Sequence, residues 1–118
     1  MNVLIIEDSL TTAMTLETFV SACGHQPVCA PNAWLTWPII DAWPVDLVLL
    51  DIMLPGVDGY ELAKRLRQRD FQAPIVAVTS LDDKPELRQR SGIEGYLQKP
   101  VSMTQLKEVL AQYEVSRV

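Results

Sequence analysis

The chain has 118 residues, of which 48% are apolar and 21% are charged, and its formal net charge at pH 7 is −5. This length predicts a single domain over residues 1–118, and the composition excludes a disordered chain. The mild acidic excess argues against direct binding of nucleic acid, and no apolar run approaches the ~18 residues of a membrane helix.

The charges are unevenly distributed along the chain. Residues 1–59 contain seven acidic residues and no lysine or arginine, whereas residues 60–118 contain all ten basic residues and eight acidic ones. The net charge therefore divides into −7 and +2, although a solvated surface normally mixes both signs. The asymmetry is either chance clustering in a short chain or an indication that some N-terminal acids share a site that requires a cation.

Short apolar runs alternate with longer amphipathic stretches. The continuous runs Val3–Ile6, Leu47–Leu50 and Ile75–Val78 are typical of strands that are buried on both faces of a parallel sheet. Gln26–Ala30 contains a proline and Gly95–Gln98 is short and mixed, so we predict that both are edge strands.

Helical patterns fill the intervals between these strands. Apolar residues recur at three and four positions over Leu10–Cys23, and Gly24 is expected to end that helix. Capping-box patterns at Asp58 and Ser102 predict the starts of two more helices. The basic residues Lys64, Arg65, Arg67 and Arg69 are interpreted as a solvated face of the first of these two.

Two of the five expected helices are atypical. Between Trp34 and Pro44, Pro38 cannot lie inside a regular helix, so a helix either begins there or is kinked. The three tryptophans of this segment are expected to pack against the sheet; they are Trp34, Trp37 and Trp43. A short helix is expected from Pro85 to just before Gly92.

Together, the five strand–helix units predict a doubly wound parallel α/β sheet.

Polar residues follow four of the predicted strands. Glu7 and Asp8 follow the first, Asp51 the third, Thr79 the fourth and Lys99 the fifth. The carboxyl ends of parallel strands meet at one rim, so we expect these side chains to converge there. Three carboxylates in one place repel each other unless a cation intervenes, and Mg²⁺ prefers such oxygen ligands. A carboxylate beside a metal and an ammonium group can attack phosphorus to form an acyl phosphate.

Several segments resemble the receiver domain of two-component response regulators. They are Ile5–Ser9, Leu49–Gly59, Val78–Ser80 and Gly95–Pro100, and the block from Asp51 to Gly59 is highly specific. The resemblance covers essentially the whole chain. It implies a flavodoxin-like (βα)5 fold with strand order 2-1-3-4-5, here with a short fourth helix and an irregular second one, in a cytoplasmic bacterial protein.

The resemblance also implies a phosphorylation-dependent switch. Asp51 would accept a phosphoryl group from the phosphohistidine of a sensor kinase or of a histidine phosphotransfer protein. Asp8 and Asp51 would bind Mg²⁺ or Mn²⁺ directly, Glu7 through water, and Met53 through its backbone carbonyl. The domain would not be an enzyme towards other molecules, since it would catalyse only its own phosphorylation and dephosphorylation.

The remaining implied roles concern the switch. Thr79 would hydrogen-bond the phosphoryl group, Tyr96 would turn between exposed and buried positions, and Lys99 would contact the phosphoryl group, with a cis peptide bond between Lys99 and Pro100. The face formed by the fourth helix, fifth strand and fifth helix would then act on an output domain, a partner or a second copy.

Three departures from the family pattern affect these expectations. Glu7 replaces the more usual aspartate, and the interval from Thr79 to Lys99 is about two residues short. Met53 and Leu81, two residues beyond Asp51 and Thr79, are both apolar and cannot hold a water molecule in line with phosphorus. We therefore predict a slowly hydrolysing phosphoaspartate.

Other functions fit the sequence less well. An FMN site at Ser9–Thr12 would lack glycine and would lie beside repelling acids, and an aspartyl phosphatase would require an aspartate in place of Met53. The alternative that stays open is a receiver-like interaction module that acts without phosphorylation. Cys23 and Cys29 are interpreted as reduced thiols of a cytosolic protein, and His25 as an ordinary histidine near a turn.

Overall fold

Five parallel strands form the central sheet in the computed structural model, which describes residues 1–115. The strands are β1 (Asn2–Ile6), β2 (Gln26–Ala30), β3 (Leu47–Leu50), β4 (Ile75–Thr79) and β5 (Gly95–Gln98). Their hydrogen-bonded order is β2-β1-β3-β4-β5, with every neighbouring pair parallel. The structure thus confirms the predicted fold class and places the two weaker runs at the edges.

Within residues 1–115, four α-helices connect the strands and a fifth follows the last strand. They are α1 (Leu10–Ala22), α2 (Thr36–Ala42), α3 (Gly59–Gln68), α4 (Pro85–Arg90) and α5 (Met103–Val115). A small antiparallel hairpin, Met53–Leu54 with Val57–Asp58, precedes α3. Helix α4 has six residues, which confirms the expectation of a short fourth helix.

The core lies on both faces of the sheet. Leu47 and Leu49 of β3 point into a cluster with α1 and α5, whereas Val48 and Leu50 point into a cluster with α3. This alternation requires apolar residues at every position of a central strand, because each residue faces one of two buried layers. The continuous runs read from the sequence have this physical origin.

Both predicted capping boxes start helices, but they differ in detail. At α5, the Ser102 backbone N–H donates to Gln105 Oε1 at 3.0 Å, and the Gln105 N–H donates back to Ser102 Oγ at 3.1 Å. At α3, Asp58 Oδ1 accepts from the Tyr60 N–H at 3.0 Å. Each cap satisfies an N–H group that the helix itself leaves without a partner.

Helix α2 begins at Thr36, so Pro38 lies in its first turn, where its missing N–H is tolerated. A 3-10 turn precedes it, capped by the side chain of Asn32. This turn directs Ala33 to the core and leaves Trp34 69% exposed, so the prediction that Trp34 packs against the sheet was wrong. Trp37 does pack against the core, with the Arg69 guanidinium 4.7 Å from its ring centroid, and Trp43 is half-buried.

The interpretation of the α3 basic residues as a solvated face was wrong for Arg67. Its guanidinium donates to the backbone carbonyls of Phe71, Ala73 and Gly92 and pairs with Glu94 at 2.7 Å. These bonds tie the end of α3 to the segments that lead into β4 and β5. The sequence pattern cannot show this, because one long side chain reaches two separate loops.

Two further features of the structure concern the cysteines and the length of the helices. Cys23 and Cys29 are free thiols, as predicted. Within residues 1–115, no helix has the length and apolar content needed to cross a membrane.

Candidate functional site

The ends of β1 and β3 bring three carboxylates together. Ile6 and Leu50 are register partners, and the Asp51 N–H donates to the Ile6 carbonyl at 2.9 Å, so the residues that follow both strands remain side by side. One carboxylate oxygen each from Glu7, Asp8 and Asp51 lies within 4.8 Å of the others. The acidic residues predicted at the rim of the sheet therefore do form one cluster.

The members of this cluster differ in burial and in hydrogen bonding. Glu7 is 2% exposed and Asp51 5%, whereas Asp8 is exposed. Glu7 Oε2 accepts from the Ser9 N–H at 3.1 Å, and Asp51 Oδ1 accepts from the Met53 N–H at 3.0 Å. Glu7 Oε1 is buried and is in contact with the Lys99 ammonium group.

Lys99 follows β5 and points into the same cluster. Its backbone N–H donates to the Thr79 carbonyl at 2.9 Å, and its peptide bond to Pro100 is cis. Its Nζ forms an ion pair with Glu7 Oε1 at 2.6 Å and lies 3.4 Å from Asp51 Oδ2.

In the Glu7–Lys99 ion pair, burial and the charge of the partner shift each pKa in opposite directions. Burial raises the pKa of Glu7, and Asp51 adds to this effect, while Lys99 and the Ser9 N–H only partly offset it. Burial alone would lower the pKa of Lys99, but Glu7 and Asp51 outweigh it, so the pKa of the ammonium group lies above its ordinary value. Lys99 therefore stays charged beside the carboxylates.

The two predicted switch residues meet at the loop that follows β4. Thr79 is buried at the end of β4, and its Oγ1 accepts from the Leu81 N–H at 3.2 Å. Tyr96 is half-buried, and its hydroxyl donates to the Leu81 carbonyl. The N–H and the carbonyl of Leu81 are thus both hydrogen-bonded by the two predicted switch residues.

Sequence reasoning missed a further contact to this loop. The side-chain amide of Gln98 donates to the Ser80 carbonyl and to Asp82 Oδ1, both at 3.3 Å. The only signal available was that Gln98 directly precedes Lys99 at the end of a strand, and an exposed glutamine there carries no pattern of its own.

Gly59 allows α3 to approach the end of β3. A Cβ atom at Gly59 would lie 2.5 Å from Ile52 Cα and 2.9 Å from the Asp51 carbonyl oxygen. Its N–H donates to the Ile52 carbonyl at 2.9 Å. This close packing holds the backbone of Asp51 and Ile52 against the start of α3, with the exposed Met53 beside it.

The donor set fits a divalent, oxygen-binding cation. Three carboxylates bring a charge of −3, and Lys99 supplies +1, so the cluster lacks two positive charges. Hard oxygen ligands with one or two direct carboxylates suit Mg²⁺ in particular.

Comparison with known proteins agrees with this geometry. Residues 3–111 match the family model described as response regulator receiver domain. The polar-differentiation response regulator DivK of Brucella anthropi is 30% identical over 117 residues, which cover 95% of this chain and 94% of DivK. The sensor histidine kinase RcsC of Salmonella typhi is 30% identical over 115 residues, but this chain spans 12% of its length.

A solved structure shows the same fold in a complex. It contains the Saccharomyces cerevisiae histidine phosphotransfer signaling protein Ypd1 and the receiver domain of its downstream response regulator Ssk1. The match has a TM-score of 0.88 and 26% identity, and it covers 99% of this chain and 90% of the other. The family model matches residues 3–111, and the match to DivK covers 94% of DivK at 30% identity. The chain therefore belongs to the response regulator receiver domain family.

Proposed function

We propose that this receiver domain works as a signalling switch by accepting a phosphoryl group on Asp51. The observation that carries the proposal is the cluster of Glu7, Asp8 and Asp51 with the Lys99 ammonium group at the rim of the sheet. Within this cluster, Asp51 Oδ1 accepts from the Met53 N–H, and Asp51 Oδ2 lies 3.4 Å from Lys99 Nζ.

In the proposed reaction, a carboxylate oxygen of Asp51 attacks the phosphorus of a phosphohistidine. A new O–P bond forms as the N–P bond breaks, and the imidazole nitrogen keeps the electron pair and takes up a proton. The Lys99 ammonium stabilises negative charge on the phosphoryl oxygens. The Thr79 hydroxyl, which now accepts from the Leu81 N–H, can donate its own proton to a phosphoryl oxygen.

The proposed cofactor is Mg²⁺ or Mn²⁺. Asp8 and Asp51 would bind it directly, Glu7 through water, and Met53 through its carbonyl oxygen. When bound, the ion supplies positive charge next to the phosphoryl oxygens and offsets the repulsion between the carboxylates.

The proposed phosphoryl donor is a sensor histidine kinase or a histidine phosphotransfer protein. Support comes from the sensor kinase RcsC among the relatives and from the complex of Ypd1 with the Ssk1 receiver. We further propose one receiver domain over residues 1–118, active only in its own phosphorylation and dephosphorylation and located in the cytoplasm. Its α4-β5-α5 face would act on an output domain, a partner or a second copy.

The test is incubation with acetyl phosphate and Mg²⁺, followed by intact mass measurement. We expect the mass of one added phosphoryl group, lost in Asp51→Ala and lost with EDTA. Asp41→Asn removes an exposed carboxylate on α2 and should retain the gain. If neither acetyl phosphate nor a phosphorylated histidine kinase modifies the chain, the interaction module that acts without phosphorylation becomes the better account.

A further inference from the structure

The Lys99 ammonium group lies closer to Glu7 than to the proposed phosphoacceptor. Nζ is 2.6 Å from Glu7 Oε1 but 3.4 Å from Asp51 Oδ2. The Glu7 side chain is almost fully buried, and its other oxygen is occupied by the Ser9 N–H. The ammonium group therefore pairs with the second carboxylate oxygen of Glu7.

This position sets Lys99 against a divalent cation. The carboxylate oxygens of Glu7, Asp8 and Asp51 lie within 4.8 Å of one another, so an ion bound among them would come close to the ammonium group. Two positive charges at such a separation repel strongly where the surroundings are partly buried. An ion that attracts the Glu7 carboxylate therefore weakens the attraction between that carboxylate and the Lys99 ammonium group.

We propose that Lys99 is the internal counter-ion of the site and competes with Mg²⁺ for the negative charge of Glu7, so that metal binding weakens the contact between the ammonium group and Glu7 Oε1. The inference rests on the proposed Mg²⁺ site and adds a link between its metal ligand and its lysine. By thermodynamic linkage, Lys99 weakens Mg²⁺ binding by the same factor by which Mg²⁺ weakens the Lys99–Glu7 pair.

The length of the Glu7 side chain sets the strength of this competition. Glutamate has one methylene group more than aspartate, and in this structure it brings Oε1 to 2.6 Å from Nζ. Shortening residue 7 would draw its carboxylate back towards the end of β1 and weaken the pair while keeping the charge. Glu7 is thus a positioning residue for Lys99 as well as a proposed metal ligand.

The experiment is isothermal titration of the chain with Mg²⁺ at pH 8, without any phosphoryl donor. The variants are Glu7→Asp, Lys99→Met and the double variant, with Lys107→Met as control, since it removes the same charge from an exposed position on α5. We expect Kd to fall about tenfold in Lys99→Met, within the usual range of couplings between two sites, and by a smaller factor in Glu7→Asp. Lys107→Met should match the wild type.

The double variant separates competition from a general charge effect. If the Lys99–Glu7 pair is what opposes the metal, Glu7→Asp gains nothing further once Lys99 is gone. An equal gain in both backgrounds, or an unchanged Kd in a Lys99→Met variant with a native circular dichroism spectrum, would overturn the inference. If Lys99→Met does not fold, Glu7→Asp decides, because tighter binding supports the competition and equal or weaker binding refutes it.

Failure of the inference and failure of the proposed function give different results. If Mg²⁺ binds with a Kd that depends neither on Lys99 nor on the length of residue 7, only the proposed competition is refuted. Absence of Mg²⁺ binding from the wild type and from every variant removes the proposed metal site, and the competition with it.

Discussion

Met53 and Leu81 line one groove beside the proposed phosphoacceptor, together with Ile52 and Leu87. Met53 is 56% exposed and Leu81 38%, and each follows a proposed site residue, Asp51 or Thr79, by two positions. Neither side chain can bind a water molecule in line with phosphorus. At the scale of single residues, this supports the prediction that the phosphoaspartate hydrolyses slowly.

Replacing Met53 with asparagine should shorten the lifetime of the phosphoaspartate several-fold, because an amide can position the attacking water. The measurement is the decay of the phosphorylated mass in Mg²⁺ after removal of the donor. Met53→Leu keeps an apolar side chain and should decay like the wild type. A wild-type lifetime of seconds would contradict the prediction.

Glu7 should make the metal-free protein less stable at neutral pH. Because burial raises its pKa in the folded state, the folded protein binds the proton more tightly than the unfolded chain does. Stability therefore falls as the pH rises from the ordinary value of 4.5 through the folded pKa, and it stays reduced above that window. Glu7→Gln removes this effect.

Urea unfolding of the metal-free wild type and of Glu7→Gln, measured from pH 4.5 to 8, checks this sign. We expect the variant to gain on the wild type as the pH rises through the window, and Glu61→Gln on the exposed face of α3 to show no such gain. A variant that loses relative stability with rising pH would mean that the Lys99 ion pair outweighs the burial of Glu7.

At the scale of elements, α4 is held differently from the other helices. None of its six residues, all of which are described, is buried, and Leu87 only partly packs against the core. Arg88 instead pairs with Asp83 at 2.9 Å and donates to the carbonyls of Ile93 and Glu94. Polar contacts rather than buried area keep this segment in place, so it can move without opening the core.

Arg88→Met should therefore speed amide hydrogen exchange in residues 80–90 by about tenfold, since hydrogen bonds to charged groups contribute roughly 1.5–3 kcal/mol. Exchange in β1 and β3 should stay unchanged. Arg90→Met removes an exposed charge from the same helix and serves as the control. Equal protection of residues 80–90 in both variants would show that Leu87, not Arg88, holds α4.

The elements also show which features the sequence could predict. The central strands were predictable because burial on two faces demands continuous apolar runs, and Glu7, Asp8 and Asp51 were predictable because they directly follow such runs. The roles of Arg67 and Trp34 were not, since each depends on which loop or face a single side chain reaches in space. The preference of Lys99 for Glu7 over Asp51 depends on less than 1 Å and leaves no pattern in the sequence.

On the scale of the whole molecule, the structure accounts for all seven acids of residues 1–59. Three form the rim cluster. Asp41 pairs with Arg69, Asp46 accepts from the Asn2 N–H at 2.8 Å, and Asp58 caps α3. Glu17 hydrogen-bonds Cys29 and, after burial, is the main reason why the pKa of that thiol is raised to about 12. Four of the seven acids thus make local contacts, and the other three form one site that lacks positive charge.

A ligand that binds only the folded state stabilises the whole domain, so the charge deficit at the rim can be measured as global stability. Mg²⁺ at about ten times its Kd should add about 1.4 kcal/mol, which raises the Tm of a domain of this size by about 5 °C. Thermal unfolding by circular dichroism, with and without Mg²⁺, gives the shift, and EDTA should reverse it. Asp51→Asn should reduce the shift, whereas Asp41→Asn should keep it. An equal shift from a sodium salt of the same ionic strength would mean that general screening, and not a site at Asp51, stabilises the fold.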